Sequence, residues 1–194
     1  MEARSKNTRK LVYNAMIMAI IIIMSVVPFM GFIQIPPVAI TLVHIPVIIG
    51  GILFGIKSSL LFATTFGLSS LFVAITRGAA TDVLFINPMV SVVPRIIFGF
   101  AIVLIYNAIK NTNMSEQVKI GFTAFLSSFI HSLIVIAALF ISMGITDPSG
   151  IGSETLKGIL ATLFTVNVTL EAIVATIVTI PVVIASRKVL KDEQ

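Results

Sequence analysis

The sequence contains no cysteine and no tryptophan, and only 11% of its 194 residues are charged. Without cysteine there is no disulfide, no thiolate nucleophile and no thiolate metal site, so stability has to come from packing. The scarcity of charge excludes more. A water-soluble domain carries about a quarter of its residues as Asp, Glu, Lys or Arg, whereas this chain is 57% apolar with a mean hydropathy of +1.11. Lipid is therefore the expected solvent for most of it. The net charge of +5 does not indicate nucleic acid, because no basic stripe alternates with aromatic residues. GxSxG, HExxH and paired intramembrane aspartates are also absent, which leaves hydrolase chemistry without a motif. Gly50-Gly51-Ile52-Leu53-Phe54-Gly55-Ile56-Lys57-Ser58 has the glycines of a phosphate loop, but an extra Ile separates Gly55 from Lys57, so it is not a nucleotide site.

What is present is a series of long apolar runs. A helix crosses a bilayer with about 20 mostly apolar residues, and six such spans are expected, near 10–30, 38–54, 58–75, 87–109, 120–143 and 156–185. The first is too long for a signal peptide and lacks a small-x-small cleavage site, so it reads as a retained helix. The second is short or irregular, opening after Ile35-Pro36-Pro37 and containing His44 and Pro46. Pro181 is expected to kink the end of the last. Basic residues in short loops mark the cytoplasmic side. Arg4, Lys6, Arg9, Lys10, Lys57, Lys110, Lys119, Arg187, Lys188 and Lys191 fall on one side, and Arg77 and Lys157 on the other. The fold class is thus an all-α integral membrane protein, a six-transmembrane-helix bundle forming one domain over 1–194 with both termini cytoplasmic. No sequence repeat or inverted repeat is visible.

The remaining basic residue, Arg95, lies inside the fourth span, on one face with Asn87 and Ser91. Eight residues of helix put it about 12 Å from the outer end. A charge there is costly and defaults to a functional role, and a guanidinium with amide and hydroxyl neighbours suits a carboxylate arriving from outside. The alternative is that Arg95 snorkels or pairs with Glu171. Glu171 lies mid-span with Asn167 one turn earlier and Phe164, Ala161 and Lys157 continuing the stripe; it is either a structural counter-ion or a ligand contact. His131, flanked by Ser127, Ser128 and Ser132, and His44 are further ligand candidates, each with a simple interhelical hydrogen bond as the alternative. Their spacing with Glu171 does not form a metal motif, so no metal is expected. Ala15-Met16-Ile17-Met18-Ala19 and Gly51-Ile52-Leu53-Phe54-Gly55 have the small-residue spacing that lets helices approach closely, as ordinary bundle packing also uses.

Thr8-Arg9-Lys10-Leu11 leading into Ala15 and Ala19, the stretch Ile40-Thr41-Leu42-Val43-His44-Ile45-Pro46-Val47-Ile48-Ile49-Gly50, and the stretch Asn87-Pro88-Met89-Val90-Ser91-Val92-Val93-Pro94-Arg95-Ile96-Ile97-Phe98-Gly99 together resemble the substrate-binding S component of an energy-coupling factor (ECF) vitamin transporter. The likeness covers essentially the whole chain and is closest to the pantothenate-type members. It implies a chain in the prokaryotic cell membrane that captures a vitamin outside and has no ATPase or cofactor of its own. A transmembrane T component and two ATPase subunits would drive release. It also implies that Ala15 and Ala19 dock on the T component, that the protein topples as one body, and that the segments Gly31 to Pro37 and Thr76 to Ile86 gate the pocket, with Arg77 at the rim. Pantothenate, an anion with hydroxyl and amide groups, fits Arg95, Asn87, Ser91 and Asn167. Riboflavin is the main rival, but Phe66-Gly67-Leu68-Ser69-Ser70-Leu71 lacks the acidic, Lys- and Asn-containing run of riboflavin-type members, and no Trp is available for stacking. Folate and cobalamin stay open, as does a gradient-driven transporter in which Glu171 and His131 relay protons.

Overall fold

The computed structural model of the chain describes residues 2–35, 38–77, 85–146 and 167–192. Helix α1 (Glu2–Val26) leads to an antiparallel hairpin of β1 (Phe32–Ile35) and β2 (Val38–Thr41). Then follow α2 (His44–Phe54), α3 (Ile56–Arg77), the short α4 (Pro88–Ser91), α5 (Val93–Ile109), α6 (Glu116–Thr146) and α7 (Val168–Asp192). Five stretches, Thr8–Val26, Ile56–Arg77, Pro88–Ile109, Glu116–Leu139 and Val168–Leu190, are long and apolar enough to cross a membrane.

Several expected boundaries need correction. Residues 38–41, expected to open the second helix, form β2, and the helix starts at His44. Both strand segments, Phe32-Ile33-Gln34-Ile35 and Val38-Ala39-Ile40-Thr41, are rich in β-branched residues, and the intervening Pro36-Pro37 is incompatible with one helix running through. Helix α2 begins where Pro46 falls in its first turn, the one place where a missing N–H costs nothing. Helix α1 starts earlier than Lys10, because its basic residues are good helix formers, and stops at Val26, two residues short of Pro28. Phe29 then turns the chain with a left-handed φ of 64°. The span 58–75 is longer at both ends, 56–77, and 120–143 extends to 116–146. The fourth span is divided at Val92 into α4 and α5. The last helix runs through Pro181 to Asp192, while 156–166, with Lys157, Ala161 and Phe164, lies outside the described residues, as does most of the segment from Thr76 to Ile86.

Packing explains how the site is supported. Helix α6 lies chiefly against α7 and α5, and α3 against α5, α2 and α1. Phe62, Phe66, Phe98, Ile48, Ile102, Ile120 and Val183 are fully buried between them. The turn from α2 to α3 is a single residue, Gly55, whose φ of 78° is the left-handed conformation that favours glycine. Its partner in the spacing of four, Gly51, packs against Ser59 and Ile102, so that pair serves the bundle interior. Helix α1 is peripheral, with 11% of its apolar window buried against 44% for α3. Ala15 and Ala19 both lie on its exposed face.

Candidate functional site

The site begins with a proline. In a continuous helix the residue at 94 would donate its N–H to the Val90 carbonyl, and Pro94 has none to give. The carbonyl left free accepts instead from Arg95 Nη1 at 2.6 Å. The guanidinium is thereby held inside the bundle, only 3% exposed. Its central carbon lies 5.3 Å from the ring centre of Phe66 on α3 and 5.5 Å from that of Phe85. Aromatic faces attract a cation with about 0.5–2 kcal/mol, and more when water is excluded. Among the described residues Arg95 Nε has no hydrogen-bond partner, which leaves one buried N–H of a charged group available.

Two histidines stand next to it. His131 on α6 has its ring centre 4.6 Å from Phe98 in an edge-to-face arrangement and 5.8 Å from Phe66. Phe66 therefore touches both Arg95 and His131. His44, the first residue of α2, has its ring centre 5.6 Å from that of His131. Its Nε2 is 3.0 Å from Ser128 Oγ. His44 is thus an interhelical connection. His131 is different, because its buried Nε2 has no partner among the described residues.

Glu171 on α7 completes the group. Its Oε1 accepts from the Thr41 N–H at 2.5 Å and its Oε2 from the Ser132 hydroxyl at 3.1 Å. Among the described contacts no direct ion pair joins Arg95 and Glu171. Four residues expected from scattered sequence positions, Arg95, His131, His44 and Glu171, therefore converge from α5, α6, α2 and α7. Asn167 is buried one turn before Glu171. Among the described residues no three metal-ligating side chains gather.

The other expected residues have more local roles. Asn87 is exposed and caps α4, its Oδ1 accepting from the Met89 N–H at 3.0 Å. Ser91 is fully buried, and its hydroxyl donates to the Asn87 carbonyl at 3.2 Å. Arg77, at the exposed end of α3, lines a cavity of about 150 Å³ with Ser25, Phe29, Phe32, Phe72 and Thr76. Sequence reasoning missed Phe66, Phe85, Phe98 and Thr41. Aromatic residues in apolar spans are indistinguishable from core by composition, and Thr41 contributes through its backbone. The juxtaposition Pro94-Arg95 was a readable signal, since it pairs an orphaned carbonyl with a strong donor.

Comparisons with known proteins identify the family. The chain is 28% identical over 178 residues, 87% of both chains, to a protein of Leuconostoc mesenteroides named pantothenate transporter PanT. It is 26% identical over 166 residues to the pantothenic acid transporter PanT of Lactococcus lactis, covering 78% of this chain and 80% of that one. Residues 9–183 match the family described as ECF transporter, substrate-specific component. With that match spanning nearly the whole chain, this multi-pass protein of the cell membrane belongs to the substrate-specific components of ECF transporters.

Proposed function

We propose that the protein captures pantothenate at the outer face of the cell membrane and delivers it to an ECF module of one T component and two ATPase subunits. The observation that carries the reading is the buried Arg95, gripped by Phe66 and Phe85 with its Nε unpartnered, in a chain whose relatives are named as pantothenate transporters. Pantothenate has a carboxylate at one end, an amide in the middle and two hydroxyls at the other. Arg95 takes the carboxylate, because a charged donor in a water-poor site gains most from a charged acceptor. His131, with Nε2 available, and Asn167 face the amide and hydroxyl end, Glu171 and His44 support them, and Asn87, Ser91 and Arg77 line the approach.

Both termini lie in the cytoplasm, on the side marked by the ten basic residues at the chain ends, Lys57 and the loop from Lys110 to Lys119. Helix α2 rises only about 16 Å, half of a bilayer core, so it and the hairpin before it together complete the sixth passage. The chain itself uses no cofactor; ATP is consumed by the partner subunits. Ala15 and Ala19, on the lipid-exposed face of α1, give the T component a smooth surface for close helix approach. The apolar exterior lets the whole body tilt once docked.

The test is a binding screen of the purified chain, without ATP or partners, against pantothenate, riboflavin, folate and cobalamin. Saturable binding of pantothenate, not competed by the other three, is expected. Preference for another vitamin would replace the substrate assignment, and proton-driven uptake by the isolated chain in liposomes would overturn the transport mode.

A further inference from the structure

Glu171 differs from Arg95 and His131 in one respect: both of its carboxylate oxygens are already engaged, one by the Thr41 N–H and one by the Ser132 hydroxyl. The Thr41 bond follows from the hairpin's ladder. In antiparallel strands alternate residues turn their N–H groups across the ladder and away from it. Leu42 donates across to the Gly31 carbonyl at 2.7 Å, so the N–H of its neighbour Thr41 points out on the unpaired side, and there it meets Glu171. A two-stranded hairpin has little stability of its own. This one is held at its base by the close approach of Gly31, where an added Cβ would come within 2.3 Å of the Met24 carbonyl oxygen and 2.4 Å of Val43 Cγ2. Towards the bundle it is held by a charge-assisted bond from a carboxylate that is 8% exposed. The residues after Thr41 continue directly into His44 and the site.

We propose that Glu171 is a positioning residue: through the Thr41 amide it fastens β2 beside the ligand site and thereby sets how slowly bound ligand escapes. This deepens the pantothenate-capture reading and rests on it. Ligand leaves when the hairpin lifts from α7, and lifting breaks the bond to Glu171. Loss of the carboxylate therefore speeds dissociation more than it slows association.

The experiment uses the full chain in lipid nanodiscs, with amide hydrogen exchange of the peptide containing Thr41 measured without ligand and pantothenate dissociation measured by chase. Glu171→Ala is expected to raise both by roughly tenfold or more, the size of losing one hydrogen bond to a charged group. Glu171→Gln recovers most of the loss, because its amide oxygen still accepts from Thr41 and its NH2 can donate to the Ser132 hydroxyl. Thr41→Pro keeps Glu171 and removes the N–H on the unpaired side, and reproduces the fast dissociation. Gln as impaired in binding as Ala, with Thr41 exchange at the wild-type rate, would make Glu171 a ligand contact and overturn the proposal. Unchanged Thr41 exchange in Glu171→Ala, with unchanged dissociation in both Glu171→Ala and Thr41→Pro, would overturn it as well. If the wild-type chain does not bind pantothenate, the substrate reading fails separately, and exchange at Thr41 in the ligand-free protein still decides the role of Glu171.

Discussion

Replacing Arg95 with Ala separates binding from folding. Among the described residues the guanidinium donates to the Val90 carbonyl and lies against two aromatic rings. Its removal leaves that carbonyl unpaired, a cost of about 1–3 kcal/mol. It also relieves the bundle of a buried cation, whose desolvation is a penalty of several kcal/mol. These opposing effects are of similar size, so the unfolding temperature in detergent should move little. Binding has no such compensation. Truncating one partner of a buried, hydrogen-bonded charge pair costs about 2–5 kcal/mol, which at about 1.4 kcal/mol per decade is roughly thirtyfold to a few thousandfold in Kd. The assay is calorimetric titration with pantothenate and with pantothenol, in which an uncharged alcohol replaces the carboxylate. Wild-type protein should discriminate strongly between them, and Arg95→Ala should bind both equally weakly. Arg95→Lys should fall between, keeping the charge but losing the planar fork and the aromatic stacking. A folded Arg95→Ala protein that still prefers pantothenate over pantothenol would refute the assignment of the carboxylate to Arg95.

Asn87→Ala should cost about 1 kcal/mol of stability by removing the cap of α4, with Asn87→Asp restoring it; equal loss of affinity in both variants would instead make Asn87 a ligand contact. Gly99→Ala should destabilise by about 1–3 kcal/mol, because the new Cβ falls 2.5 Å from Ala63 Cβ and 3.1 Å from the Ser59 carbonyl oxygen. Ala63→Gly in the same chain should recover part of that loss, since the two positions share one contact. Leu at both Ala15 and Ala19 should leave vitamin binding by the isolated protein unchanged and abolish uptake in cells supplying the ECF module. Retained uptake would show that this face of α1 is not the docking surface.

How much of this was legible in the sequence depended on the range of the physics involved. Apolar length marked the helices, because crossing lipid is a requirement each segment meets by itself. The strand β2 reads as the start of a helix, because the run Val38 to Phe54 is largely apolar and composition alone does not separate a covered strand from the start of a span. Arg95, Glu171, His131 and His44 were identifiable singly because a polar group in an apolar span is expensive wherever it occurs. Their convergence was not, since it depends on how α2, α5, α6 and α7 pack. Asn87 carries a local role that its place on the Arg95 face does not reveal: the break at Val92 leaves a short helix, which Asn87 caps.

The convergence places the two buried charges beside Phe85 and the hairpin. Phe85, at the end of the segment joining α3 to α4, lies against Arg95, and Thr41, at the end of the hairpin, donates to Glu171. A ligand carboxylate taken by Arg95 reduces the net charge around the guanidinium, and it needs room beside Phe66 and Phe85. Capture at Arg95 is therefore expected to shift Phe85, while the hairpin stays fastened through Glu171. On this argument Phe85 and the hairpin act at different stages, Phe85 admitting ligand and Thr41 resisting its escape. Phe85→Ala should then alter association at least as strongly as dissociation, the reverse of the Glu171→Ala pattern, and rapid-mixing measurements of both rates distinguish the two. If Phe85→Ala and Glu171→Ala change the same rate by the same factor, Phe85 and the hairpin move as one lid and the division of labour is wrong.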